Sequence, residues 1–136
     1  MLKHKESRID LLAVLLILVV VSLGCLGPGS GGNACKGVVT FEGRTFEGTA
    51  KDEKQAGLNA CNKYCLETDG EFDGMYRIWL DSPKAREFEQ KRKRKPTKED
   101  AIMEDPRLLD QVTIKCANAC VAQANKGKHT LDVKCQ

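Results

Sequence analysis

The sequence predicts an α+β fold: a short antiparallel sheet packed against two disulfide-braced helices, with a charged mobile arm between them. Three observations carry this. Residues 38–49 and 129–135 alternate apolar and polar side chains with the period of two expected of half-buried strands. Residues 52–66 and 106–126 space their apolar side chains by three and four, and each stretch holds a Cys-x3-Cys pair, Cys61/Cys65 and Cys116/Cys120. Between them, fifteen of the 25 residues from Pro83 to Arg107 are charged, which predicts a projecting segment that buries little.

The first 24 residues stand apart. Met1 to Asp10 carries Lys3, Lys5 and Arg8, and Leu11 to Leu23 is an almost purely aliphatic run ending at Gly24-Cys25. This is the layout of a secretory signal peptide over 1–24. A spanning helix wants about 20 apolar residues, whereas this run breaks into Gly27-Pro28-Gly29-Ser30-Gly31-Gly32, a flexible tether over 25–34. An uncleaved membrane anchor is the alternative. Without residues 1–24, 112 residues remain with 19 basic and 17 acidic side chains, enough for one modest domain over 35–136. That near-neutral balance supplies no general attraction to nucleic acid, and no nucleic-acid partner is expected.

The segment Val21-Ser22-Leu23-Gly24-Cys25 resembles the lipobox of bacterial lipoproteins, with Ser22 and Leu23 in the reverse of the usual order. The resemblance implies that Cys25 is lipidated, becomes the mature N-terminus and attaches the chain to a membrane. Leu26 in the next position implies the periplasmic face of the outer membrane. Lipidation at Cys25 leaves six cysteines, an even number suited to disulfides in an oxidising compartment.

Along the domain, Val38–Glu42 and Thr45–Thr49 flank Gly43-Arg44, which predicts a type II′ hairpin with Phe41 facing Phe46. Thr49-Ala50-Lys51-Asp52 reads as a capping box opening a helix to about Leu66. Its Leu58, Cys61 and Cys65 share one row, and Ala56, Ala60 and Tyr64 a neighbouring one, so the helix can lie close on the sheet. Asp69, Glu71, Asp73 and Gly74 resemble the first half of an EF-hand calcium loop. Leu80 stands where the closing bidentate Glu belongs, so an acidic, solvated turn is expected instead. Met75 to Leu80, the most aromatic patch, reads as a strand or a short packed turn.

Ser82-Pro83 caps a helix whose Glu87/Lys91 and Glu89/Lys93 pairs have favourable i, i+4 spacing. It opens the charged arm, 83–107, which carries five consecutive cations: Lys91, Arg92, Lys93, Arg94 and Lys95. They form a candidate binding patch for anionic headgroups, an acidic envelope protein or an anionic polymer. Asp105-Pro106 then opens a second long helix through Leu109, Val112, Cys116 and Cys120 to Lys126-Gly127, with a strand around Gln111–Lys115 as the alternative. In the final strand Leu131, Val133 and Cys135 share one face with His129, which is expected to be partly exposed.

Six cysteines allow 15 pairings. Residues four apart on one helix have nearly parallel Cβ vectors, which argues against bonds within either Cys-x3-Cys pair. The spacing resembles twin Cys-x3-Cys helical hairpins. That resemblance implies an outer pair, Cys61 with Cys120, and an inner pair, Cys65 with Cys116, leaving Cys35 and Cys135 to join the first strand to the last.

Serine catalysis finds little support, because Ser30 sits in the tether, Ser82 caps a helix and His129 is the one histidine after residue 24. No catalytic residue, cofactor or metal is therefore expected. The expectation is a lipid-anchored envelope protein acting as a binding or structural accessory. The alternative is a periplasmic thiol-redox or metal-binding protein using one Cys-x3-Cys pair.

Overall fold

The computed structural model describes residues 34–136; the expected signal peptide, Cys25 and the tether up to residue 33 lie outside the described residues. Cys35–Phe41 (β1), Arg44–Ala50 (β2) and His129–Cys135 (β3) form one antiparallel sheet in the order β2-β1-β3. The last strand therefore lies beside the first, with Cys35 opposite Cys135 and Phe41 opposite His129.

The hairpin turn sits one residue earlier than expected. Glu42 and Gly43 occupy it with φ of 49° and 75°, the positive pair of a type I′ turn. Phe46 accordingly pairs with Val39 instead of Phe41, and Gly37 pairs with Gly48. A two-residue shift keeps every side chain on its own face, so Val39 and Phe46 are still buried. The helix laid across the sheet explains the register. Glu53–Thr68 (α1) approaches so closely that a Cβ on Gly37 would stand 2.5 Å from the Ala56 carbonyl oxygen, and one on Gly48 would collide with the Ala60 nitrogen. Pairing the two glycines leaves room for that backbone, and Ala56 and Ala60 supply the small facing side chains.

The expected capping box at Thr49 is replaced by a simple cap. Thr49 and Ala50 remain in β2, and Asp52 caps α1 by accepting from the Gln55 N–H at 2.8 Å. Met75 to Leu80 is helical, within Gly70–Leu80 (α2), whose inner face is Phe72 and Trp79 with Met75 and Tyr76 beside them. The expected acidic turn is the start of this same helix, and treating it as a turn hides the seven-residue spacing of Phe72 and Trp79.

The segment 83–107 does not project as an arm. Pro83–Arg92 (α3) and Lys98–Glu104 (α4) bury Ala85, Phe88 and Ala101 in the domain while their charges occupy the outer faces. A charged majority is compatible with packing because a short helix needs only one or two inward side chains. Pro106–Asp110 (α5) continues through a π-helical stretch, Gln111–Cys116, into Ala117–Gln123 (α6). The inward residues Leu108, Val112 and Cys120, with the half-buried Cys116, recur every four, which drifts by about 40° per step on an α-helix. The wider π turn, in which Ala117 N–H donates to Val112 O, resets that drift. It also places Leu108 inside instead of the expected Leu109, and the path ends at Gln123, short of the expected Gly127 stop.

Three disulfides close the domain: Cys35–Cys135 between β1 and β3, Cys61–Cys120 and Cys65–Cys116 between α1 and the last helical path. Neither Cys-x3-Cys pair is bridged to itself.

Candidate functional site

The basic run occupies the end of α3 and the turn into α4, where the structure divides its five cations by role. Lys91 pairs with Glu87 one turn back at 2.6 Å, and that hydrogen bond raises the Lys91 pKa while lowering that of Glu87. Arg92 closes the last turn of α3, and Lys93 ends it in the left-handed conformation, φ 55°. Arg94 turns inward. Its guanidinium grips both oxygens of Asp100 at 2.6 and 2.9 Å and stands 5.2 Å from the centre of the Phe88 ring. Among the described residues Arg92, Lys93 and Lys95 have no ion-pair partner and are exposed.

The turn is built from α4. Thr97 and Asp100 form a reciprocal capping box, Thr97 N–H donating to Asp100 at 2.7 Å and Asp100 N–H to the Thr97 hydroxyl at 3.3 Å. With Arg94 and Thr97 both donating to it, the Asp100 carboxyl is held far below the usual carboxylate range. The Tyr76 hydroxyl donates to the Pro96 carbonyl at 2.9 Å, and burial, followed by the Asp100 and Glu99 charges, raises the Tyr76 pKa. Lys98 reaches the Leu66 carbonyl at the end of α1, at 2.9 Å. The basic turn is thus held from three sides. Beside it, between α3 and α4, lies an open groove of about 310 Å³ lined by Lys84, Glu87, Phe88, Lys91, Arg92 and Glu104.

The other candidate residues are spread through the domain. Asp69 caps α2 and accepts from Gln111 Nε2 at 2.9 Å, while Asp73 pairs with Arg77 at 2.8 Å and Lys98 at 3.3 Å. Those carboxylates serve helix ends and ion pairs. His129 is buried at 7% exposure, contrary to its expected partial exposure. Its Nε2–H donates to the Cys120 carbonyl at 2.8 Å, and its ring lies 5.2 Å from Tyr64. Both Cys-x3-Cys pairs are consumed by interhelical disulfides, with Cys61 and Cys65 fully buried. Among the described residues no group of three or more His, Cys, Asp or Glu side chains converges on a metal-sized site, and no helix is long and apolar enough to cross a membrane.

No family model, curated protein or solved structure matches the chain. The functional reading therefore rests on its own residues. The side chains that shape the basic turn but were not anticipated are Phe88, Asp100, Tyr76 and Lys98. Only the Thr97-x-x-Asp100 spacing offered a readable signal.

Proposed function

We propose that the chain is a lipid-anchored protein of the bacterial envelope, attached through Cys25 and acting as a binding or structural accessory without catalysis of its own. The observation that supports it most is the cysteine balance. All six cysteines of the described domain are paired with one another in three disulfides, which leaves none of them as a partner for Cys25, the seventh. Disulfides persist in an oxidising compartment, where a signal peptide would deliver the chain. In that setting Cys25, behind a lipobox-like sequence, is an acylation site. The basic turn is then the domain's means of contact with an acidic envelope component. Leu26 after the anchor favours the periplasmic face of the outer membrane.

Cys25→Ser tests the anchor. The variant should appear in the soluble fraction or as uncleaved precursor, and its mass should lack the acyl chains. Unchanged membrane partition and an unchanged acyl mass would refute lipidation at Cys25.

A further inference from the structure

The basic turn and the start of the domain lie at opposite ends of the sheet. At one end Ala34 leads into β1, its carbonyl accepting from Gln136 N–H at 3.2 Å, and Cys35, Ala50 and Cys135 stand side by side. Helix α1 begins there, beside Cys135, and runs toward the hairpin, where Glu67 meets Arg44 at 3.4 Å. Lys98 holds the end of α1, and Glu99 shares one cleft with Thr45 and Phe46 of the hairpin strand. The turn carrying Arg94 to Pro96 therefore sits at the hairpin end, about 20 Å along the sheet from Ala34.

From this we infer that the turn formed by Lys91, Arg92, Lys93 and Lys95, with its adjoining groove, binds a linear polyanion at the hairpin end of the sheet, the end opposite Ala34. The inference rests on the binding role proposed above for the basic turn; neither its position on the sheet nor its ligand chemistry depends on the anchor at Cys25. Arg94 is a positioning residue, because its bidentate pair with the partly buried Asp100 spends its charge, whereas the single Lys91–Glu87 pair is exposed on both sides and a polyanion can replace it. The surface favours a chain over a second bilayer for two reasons. Lys91 and Arg92, with Lys84, line a groove that also holds Glu87 and Glu104, so that a single narrow polymer can follow its basic edge while a plane cannot enter. The aromatic at the turn, Phe88, is only 9% exposed and lies near Arg92 and Arg94, so it is not displayed for insertion into lipid. Repeating phosphate, sulfate or carboxylate groups would then displace counterions from several cations at once.

The test uses the full lipidated chain in zwitterionic phosphatidylcholine vesicles, with linear polyphosphate as the probe. Polyphosphate should bind the vesicle-attached protein. The quadruple variant Lys91→Gln, Arg92→Gln, Lys93→Gln, Lys95→Gln should lose at least about tenfold in affinity, and its log–log salt slope should shrink by about 3, four cations at about 0.7 each. Its melting temperature should match the wild type, and Lys126→Gln, Lys128→Gln should bind as the wild type does. Equal affinity in the quadruple variant, or an equal loss in the control variant, overturns the assignment. So does capture of separate phosphatidylglycerol vesicles in preference to polyphosphate, which would make a bilayer the partner. Co-flotation with the phosphatidylcholine vesicles is scored separately. Its failure would count against the anchor alone, and binding measured in detergent would still decide the turn.

Discussion

Arg94 shows how one residue in a charged run acquires a role different from its neighbours. Its guanidinium makes a bidentate pair with Asp100, the strong geometry for such groups, and the same carboxylate accepts from Thr97 N–H. Because the folded Asp100 pKa lies below its ordinary 3.8, the pair contributes stability above that value, and the contribution is lost as pH falls through it toward the folded pKa. Melting temperature should therefore fall more steeply below about pH 4 in the wild type than in Asp100→Asn, which has no carboxyl to protonate there. Asp105, lowered chiefly by Arg107, contributes the same trend to both proteins and cancels in the comparison. Thermal melts across the acid range check this, and parallel curves would remove Asp100 from the account. The Thr97 cap rests on a spacing of three residues to Asp100 that the sequence displays, although it was not anticipated. The partner of Arg94 was not legible, since a side chain that long reaches several acids along the folded chain.

At the level of the elements, the close approach of α1 to the sheet makes Gly37 and Gly74 opposites. A methyl at Gly37 meets the Ala56 backbone, which cannot yield, so Gly37→Ala should cost about 1–3 kcal/mol. Gly74 lies inside α2 with open space around it, so Gly74→Ala should stabilise by about 0.4–1 kcal/mol through reduced freedom of the unfolded chain. Denaturant titration of both variants is the check, and a neutral Gly37→Ala would mean that α1 can lift off the sheet. Strand alternation at β1, β2 and β3 was readable because the period of two is local. Helix α2 was not, because its acidic first turn looked like a loop and its aromatic residues looked like a strand. Only packing against the core reveals that Phe72 and Trp79 belong to one face.

For the whole molecule, the three disulfides close loops with sequence separations of 100, 59 and 51 residues. Each contributes about 2–4 kcal/mol, and together they rival the roughly 5–15 kcal/mol that holds a typical domain folded. Full reduction should abolish cooperative melting at 37 °C, as read by near-ultraviolet circular dichroism. Access sets the order of loss. Cys135 is exposed, Cys116 is half-buried, and Cys35, Cys61, Cys65 and Cys120 are buried, so the Cys35–Cys135 bond offers the most accessible sulfur. Mild reductant followed by alkylation and peptide mapping should label Cys35 and Cys135 first. Early labelling of Cys61 or Cys65 would show that the helical pairs open before the sheet does.

The sequence by itself determined the strand faces, the two cysteine-bearing helices and the caps at Ser82 and Asp105. Each depends on residues within a few positions of one another, so periodicity and capping chemistry suffice to read it. The tertiary structure alone decided the hairpin register, the helical state of residues 70–80, the packing of 83–107 and the burial of His129. Those depend on partners brought from far along the chain: the backbone of α1 against Gly37 and Gly48, the core beneath Phe72 and Ala101, and the Cys120 carbonyl over His129. The basic turn belongs to both levels. Its charge is written in five consecutive letters, but its position at the hairpin end exists only because Lys98, Tyr76 and Arg94 tie it there.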